Sequence, residues 1–231
     1  MSRYQSLKEE AWEANMELPK REIVIYTFGN VSALDKNRGV FAIKPSGVPY
    51  ADLKARDMVI VDLENHVVEG RLNPSSDTKT HMVLYREFQG IGGITHTHSP
   101  YATAWAQAGR AIPVYGTTHA DHLAVDIPCT ALMTDMAIQG DYEEETGHQI
   151  VQAFQSMNPL EVQMILVTGH GPFAWGETAA KSVFNAVILE ALAKMALYTE
   201  QINPECGRLK QSLIDKHYFR KHGRNAYYGQ S

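Results

Sequence analysis

Two runs that lie far apart in the chain end in histidine: Gly92-Gly93-Ile94-Thr95-His96-Thr97-His98 and Met164-Ile165-Leu166-Val167-Thr168-Gly169-His170. Side chains alternate along an extended segment, so His96 and His98 point to one face and can grip one ion. A third imidazole from the second run completes a three-histidine facet with positions left open for oxygen ligands. That is the layout of a catalytic metal, not a structural one. A fold serving this site must bring the two runs together. The chain has ten histidines, so a chance His-x-His pair is an ordinary event. The flanking Gly92, Gly93, Gly169 and Gly171 add weight, because a missing side chain suggests that something approaches the backbone closely there.

At 231 residues the length suits one large domain, since domains typically hold about 100 to 200 residues. The composition, 44% hydrophobic and 20% charged, is that of an ordinary globular protein without a low-complexity tract. A net charge of −5 argues against general nucleic-acid binding, which needs an excess of Lys and Arg on one face. Cys129 and Cys206 are the two cysteines and form no Cys-x-x-Cys pattern, so neither a disulfide framework nor a thiolate zinc site is supported and a reducing cytosol fits. No secretory leader pattern stands at the N-terminus and no stretch reads as a bilayer span, so the expected location is cytoplasmic and off the membrane.

Ser6-Leu7-Lys8-Glu9 has capping-box form, and Leu7, Ala11, Ala14 and Leu18 follow at helical spacing until Pro19. Short β-rich runs then predict an antiparallel meander: Ile23 to Phe28, Val40 to Ile43, Met58 to Leu63 and Val67 to Glu69. Ser76 or Asp77 can cap a helix through Met82, Tyr85 and Phe88, and a short helix is expected around Tyr101 to Ala108. Irregular chain follows from Ile112 to Met133, and two longer helical patterns, Tyr142 to Met157 and Thr178 to Gln201, flank the second histidine run. Strands early, helices throughout and no strict alternation predict an α/β fold with a mixed sheet covered by helices.

Three loops suit an anion: Gly29-Asn30, Lys44-Pro45-Ser46-Gly47 and Ser75-Ser76. Small residues expose backbone N–H groups, serines donate, and a helix N-terminus adds partial positive charge. Turn chemistry and helix capping explain each loop equally well when taken alone. Asp77 either caps its helix or reaches toward the metal. Three imidazoles with a carboxylate suit zinc, while manganese or cobalt accept the same donors. Asp121 is either a general acid/base or a turn-stabilising Asx residue. The basic and aromatic end, Asp215 to Ser231, is either a frayed tail or a segment that docks on a surface, as its aromatic area favours.

At these residues the chain resembles the L-ribulose-5-phosphate 4-epimerases of the class II aldolase/epimerase superfamily. The resemblance runs nearly end to end, from Leu18-Pro19 through Gly29-Asn30-Val31-Ser32, Lys44-Pro45-Ser46-Gly47, Pro74-Ser75-Ser76-Asp77-Thr78 and His96-Thr97-His98-Ser99. It continues through Gly116-Thr117-Thr118-His119-Ala120-Asp121 and His170-Gly171-Pro172-Phe173-Ala174-Trp175-Gly176 to Tyr227-Tyr228-Gly229-Gln230. It implies a single domain over 1–231 with a largely antiparallel central sheet in three layers, and a homotetramer in which the tail, about 215–231, serves a neighbouring subunit. It implies zinc held by Asp77, His96, His98 and His170, and a phosphosugar held by Gly29, Asn30, Ser46, Gly47, Ser75 and Ser76, with Lys44 nearby. It makes Asp121 and Tyr228 the acid/base pair, with Thr117, His217 and Arg220 in support; His122 stands where an aromatic residue is expected. The implied reaction turns L-ribulose 5-phosphate into D-xylulose 5-phosphate by retro-aldol cleavage of C3–C4, rotation of glycolaldehyde phosphate and re-addition to the dihydroxyacetone enediolate. The competing readings are a class II aldolase of the L-fuculose 1-phosphate type and a non-catalytic adducin-like scaffold.

Overall fold

In the computed structural model of the chain, residues 2–223 and residue 226 are described. The first amphipathic stretch forms helix α1, Gln5–Lys20, which buries Leu7, Ala11, Ala14 and Leu18. It starts one residue before Ser6, so the expected capping box is not made, and it includes Pro19 in its last turn. Residues 23–28 form no strand. Tyr26 is 88% exposed with φ at 51°, a left-handed conformation that breaks extended pairing. The first strand is instead β1 (Asn30–Asp35), while β2 (Val40–Ile43), β3 (Val59–Asp62) and β4 (Val67–Glu69) form where the sequence predicts them.

Helix α2, Thr78–Glu87, leads into β5, Gly93–His96, and then into α3, Pro100–Gln107. The stretch that reads as irregular contains the short helix α4, Thr117–Ala120, and two isolated bridges, Ile112 with Ile127 and Cys129 with Leu166. After α5 (Asp135–Gln139) and α6 (Tyr142–Ala153) come β6 (Met164–Val167), β7 (Gly171–Gly176), α7 (Ala179–Ile202) and α8 (Gln211–His222). The seven strands lie in the order β4-β3-β2-β1-β5-β7-β6, and every neighbouring pair is antiparallel.

Helices cover both faces, giving the three-layer α/β fold that the sequence predicts. Asn15 of α1 donates to the Val31 carbonyl and accepts from the Val31 N–H, while Thr95 meets Ser182 of α7; both contacts lie on one face. Ser32 meets His81 and Tyr85 of α2 on the other. Helix α7 has the length and mean hydropathy, 1.2, of a helix able to cross a membrane, contrary to the sequence reading. Its buried residues, among them Ala179, Val183, Ala186, Leu189 and Ala193, belong to the main apolar core, as expected of the core helix of a globular domain. The glycines ahead of the first histidine pair serve this packing: a Cβ on Gly93 would lie 2.4 Å from the backbone of Ala179. What approaches there is the protein's own helix α7, not a ligand.

Candidate metal and anion site

Register places the site. In the β1–β5 pairing Asn30 lies opposite His96, two pairs along from Ser32 opposite Ile94, and period-two alternation puts all four on the face that α2 covers. His96 ends β5, and His98 lies just beyond it in the two residues before α3. Antiparallel β6 and β7 form a tight hairpin whose turn carries Gly169, at φ 75°, and His170. The β5–β7 pairing, with His96 opposite Phe173, brings this turn beside the first histidine pair.

The three rings meet. Their centroids lie 4.8 Å apart for His96 and His98, 4.7 Å for His96 and His170, and 5.1 Å for His98 and His170. One ring nitrogen from each falls within 4.8 Å of the others. His96 Nδ1 donates to the Pro172 carbonyl at 2.9 Å, which fixes the tautomer that leaves Nε2 with its lone pair. That Nε2 lies 3.1 Å from His98 Nε2. Burial, joined by the neighbouring imidazoles, pushes His170 down to about 3 and lowers His98. Both rings are therefore neutral near pH 7, the form that ligates a metal. By donor type, neutrality and convergence, these residues fit a borderline divalent cation.

Asp77 occupies the N-cap position of α2, yet its side chain caps nothing. Its Oδ2 instead accepts from Asn30 Nδ2 at 2.6 Å. Burial acts to raise its pKa, but the imidazoles of His96, His81 and His170, helped by Asn30, hold the carboxyl below its ordinary value. It borders the histidine cluster as an anion. Behind it His81 is fully buried with Nδ1 2.7 Å from Ser32 Oγ, and burial takes it down to about 3.

The three anion loops converge on the same place. Gly29, Asn30, Lys44, Ser46, Gly47, Ser75 and Ser76 line one cavity of about 370 Å³ with Asp77 and the three histidines. The loops are stitched together by a bridge between Pro45 and Pro74 and by backbone bonds from Ser46 to the Asn73 carbonyl and from Ser75 to the Lys44 carbonyl. Ser75 Oγ accepts from Asn30 Nδ2 at 3.1 Å and from the Asp77 N–H at 3.4 Å, so its own proton is available to an incoming oxygen. Lys44 is buried, and burial lowers its ammonium to about 8, leaving it charged at neutral pH. Tyr142, Glu143, Thr27 and Phe28 also line it, and no sequence motif marks them.

The chain belongs to the class II aldolase and adducin N-terminal domain family, whose match covers residues 9–197. Among solved structures it is similar to an L-fuculose 1-phosphate aldolase at 24% identity and TM-score 0.80, over 96% of this chain and 98% of that one. A second L-fuculose-1-phosphate aldolase, from Thermus thermophilus, aligns at 24% identity and TM-score 0.69 over 88% and 98% of the two chains. YgbL from Klebsiella pneumoniae, whose name offers aldolase, epimerase or decarboxylase, aligns at 23% identity and TM-score 0.73 over 94% and 99%. At these identities the likeness is one of fold.

Asp121 is placed elsewhere. It follows α4, which packs against α8, and it is not among the residues lining the histidine cavity. Arg220 donates to its carboxylate through Nε at 3.1 Å and Nη2 at 2.9 Å, and His217 Nδ1 lies 3.0 Å away. Burial acts to raise its pKa, but these partners outweigh it and hold the carboxyl below the usual range. His122 lies beside Phe184 and burial lowers its pKa, so it adds no positive charge beside Asp121 at neutral pH. Residues 215–222 belong to helix α8, whose Ile214 is buried against Val114 and Ala120; residues 224, 225 and 227–231 lie outside the described residues. Tyr228 lies outside the described residues.

Proposed function

We propose that this protein is a metal-dependent L-ribulose-5-phosphate 4-epimerase of the class II aldolase family. The observation that carries the reading is the convergence of three imidazoles and three anion-binding loops on one cavity. A phosphosugar needs both halves, because its phosphate must be held while chemistry proceeds near its other end.

His96, His98 and His170 hold the metal, with Asp77 as the oxygen ligand. Zinc, or manganese or cobalt, supplies when bound a Lewis acid for the negative charge that carbon–carbon cleavage develops. Ser46, Ser75 and Ser76 donate to the phosphate, Asn30 borders it and spends its Nδ2 protons on holding Ser75 and Asp77 in place, Gly29 and Gly47 let it approach the backbone, and the N-terminus of α2 and the Lys44 ammonium favour its charge. C4 of L-ribulose 5-phosphate is not adjacent to the C2 carbonyl, so its proton is not acidic and inversion by direct deprotonation is excluded. Breaking C3–C4, turning the aldehyde fragment about its held phosphate and re-forming the bond inverts C4 without that proton. The C4 oxygen lies on opposite sides before and after the turn, so proton-transfer groups are needed on both faces. Asp121 and Tyr228 are assigned these roles. Asp121 does not line the cavity of its own chain, so the role requires it and Tyr228 to reach the cavity of an adjoining subunit, as in a homotetramer.

Incubation of the purified protein with L-ribulose 5-phosphate and, separately, L-fuculose 1-phosphate tests the assignment. The expected result is D-xylulose 5-phosphate from the first. Dihydroxyacetone phosphate and lactaldehyde from the second, with no xylulose 5-phosphate from the first, make the protein an aldolase. Turnover of neither, together with failure to bind zinc, makes it a scaffold.

A further inference from the structure

His170 stands on a turn, not within a strand. Its backbone N–H bonds the Val167 carbonyl, but that contact leaves the ring free to rotate about two side-chain torsions. His96 shows how such freedom is removed: a carbonyl takes its Nδ1 proton, and Nε2 is left facing the cluster. The corresponding atom at His170 is the hydroxyl of Tyr142, 3.3 Å from Nδ1, with the two ring centroids 6.0 Å apart.

Tyr142 is itself held firmly. It is the first residue of α6, which Asp141 caps by accepting from the Glu144 N–H. Lys79 of α2 pairs with Asp141, and Thr80 Oγ1 donates to the Glu143 carbonyl at 2.5 Å. Gly147 lets α6 lie flat on α2, since a Cβ there would stand 2.7 Å from Val83. The helix pair that carries Tyr142 therefore also carries Asp77 at the start of α2. Tyr142 is half-buried and lines the cavity, so its hydroxyl has no role in closing the apolar core.

We infer that Tyr142 is a positioning residue for His170: its hydroxyl oxygen accepts the Nδ1 proton, which fixes the tautomer and turns Nε2 toward the metal. Partners of this kind on the second ring nitrogen typically change metal affinity by about 10–100-fold when removed. The inference rests on reading the three imidazoles as a metal site, and the experiment separates the two. Full-length parent and Tyr142→Phe proteins are stripped of metal and titrated with zinc against a chromophoric chelator. Their metal-free thermal midpoints are compared, and nitrogen-15 histidine spectra are recorded on the zinc-loaded forms. The expected result is zinc binding about tenfold or more weaker in the variant, with an unchanged metal-free midpoint. The His170 Nδ1–H resonance should move or broaden, while that of His96, held by Pro172, stays in place. Parent and variant affinities within about twofold of each other, with the His170 resonance unmoved, overturn the role of Tyr142 and leave the metal site standing. A parent protein that binds no zinc overturns both.

Discussion

Replacing His119 with glutamine should shift the acid limb of the protein's stability by a predictable amount. His119 is 4% exposed, and its Nε2 donates to the Val125 carbonyl at 3.1 Å. Burial pushes its pKa down to about 4, against the opposing pull of Val125 and Asp126. In the unfolded chain the imidazole titrates near 6.5, so below that pH the unfolded state takes up a proton that the folded state refuses. Folding stability is then lost progressively from about pH 6.5 down to about pH 4, and the linkage relation gives about 2 kcal/mol between pH 7.5 and pH 5. Glutamine can donate to the same carbonyl and does not titrate. Denaturant unfolding of the metal-free parent and His119→Gln at both pH values isolates the contribution, because the other buried histidines are common to both proteins. The variant should gain on the parent by about 2 kcal/mol at pH 5 relative to pH 7.5. A stability difference that stays constant with pH refutes the idea that His119 is held neutral within α4.

Gly93→Ala puts a Cβ 2.4 Å from the Ala179 backbone, with Thr178 equally close, so α7 must move off β5. We expect a loss of about 3 kcal/mol, and a denaturation midpoint equal to the parent's refutes it. Asp121→Asn removes the anion that holds Arg220 and His217, so α8 should become cleavable in limited proteolysis while turnover in the proposed epimerase reaction falls at least about 100-fold; an α8 as protected as the parent's counts against the anchoring. Zinc at about 100 times its dissociation constant should raise unfolding stability by about 2.7 kcal/mol. His98→Asn should abolish that gain, and a retained gain places the metal elsewhere.

The elements that follow from local pattern were legible in the sequence. The apolar spacing of α1 and α7, the β-rich runs of β2 to β4 and the runs that form β5 and β6 all rest on interactions within a few residues. What misled was a segment whose pattern is overruled by backbone conformation. Residues 23–28 are rich in β-formers, but Tyr26 in the left-handed region and the chain's need to enter β1 at Asn30 leave them as a connector. Glycines were read correctly as points of close approach at Gly93 and Gly171, where a Cβ would meet Ala179 and Thr97. The sequence alone did not reveal that the approaching group is the protein's own backbone.

The site divides along the same line. His96, His98, His170 and the serine and glycine loops carry their chemistry in their residue types, so the sequence could nominate them; their meeting depends on register, with Asn30 opposite His96 and Phe173 opposite His96 on the other edge. Asp77 shows how local and tertiary demands compete. By position it is a helix cap, worth about 1 kcal/mol when made, yet its carboxylate accepts from Asn30 and caps none of the α2 N–H groups. Tyr142 carried no signal at all, because nothing in Asp141-Tyr142-Glu143 differs from an ordinary helix start. Its meaning arises only when Gly147 lets α6 settle on α2 and the hydroxyl comes to rest beside His170. Residues that bear chemistry can thus be read from the chain, whereas residues that aim that chemistry become visible only once the helices and strands have packed.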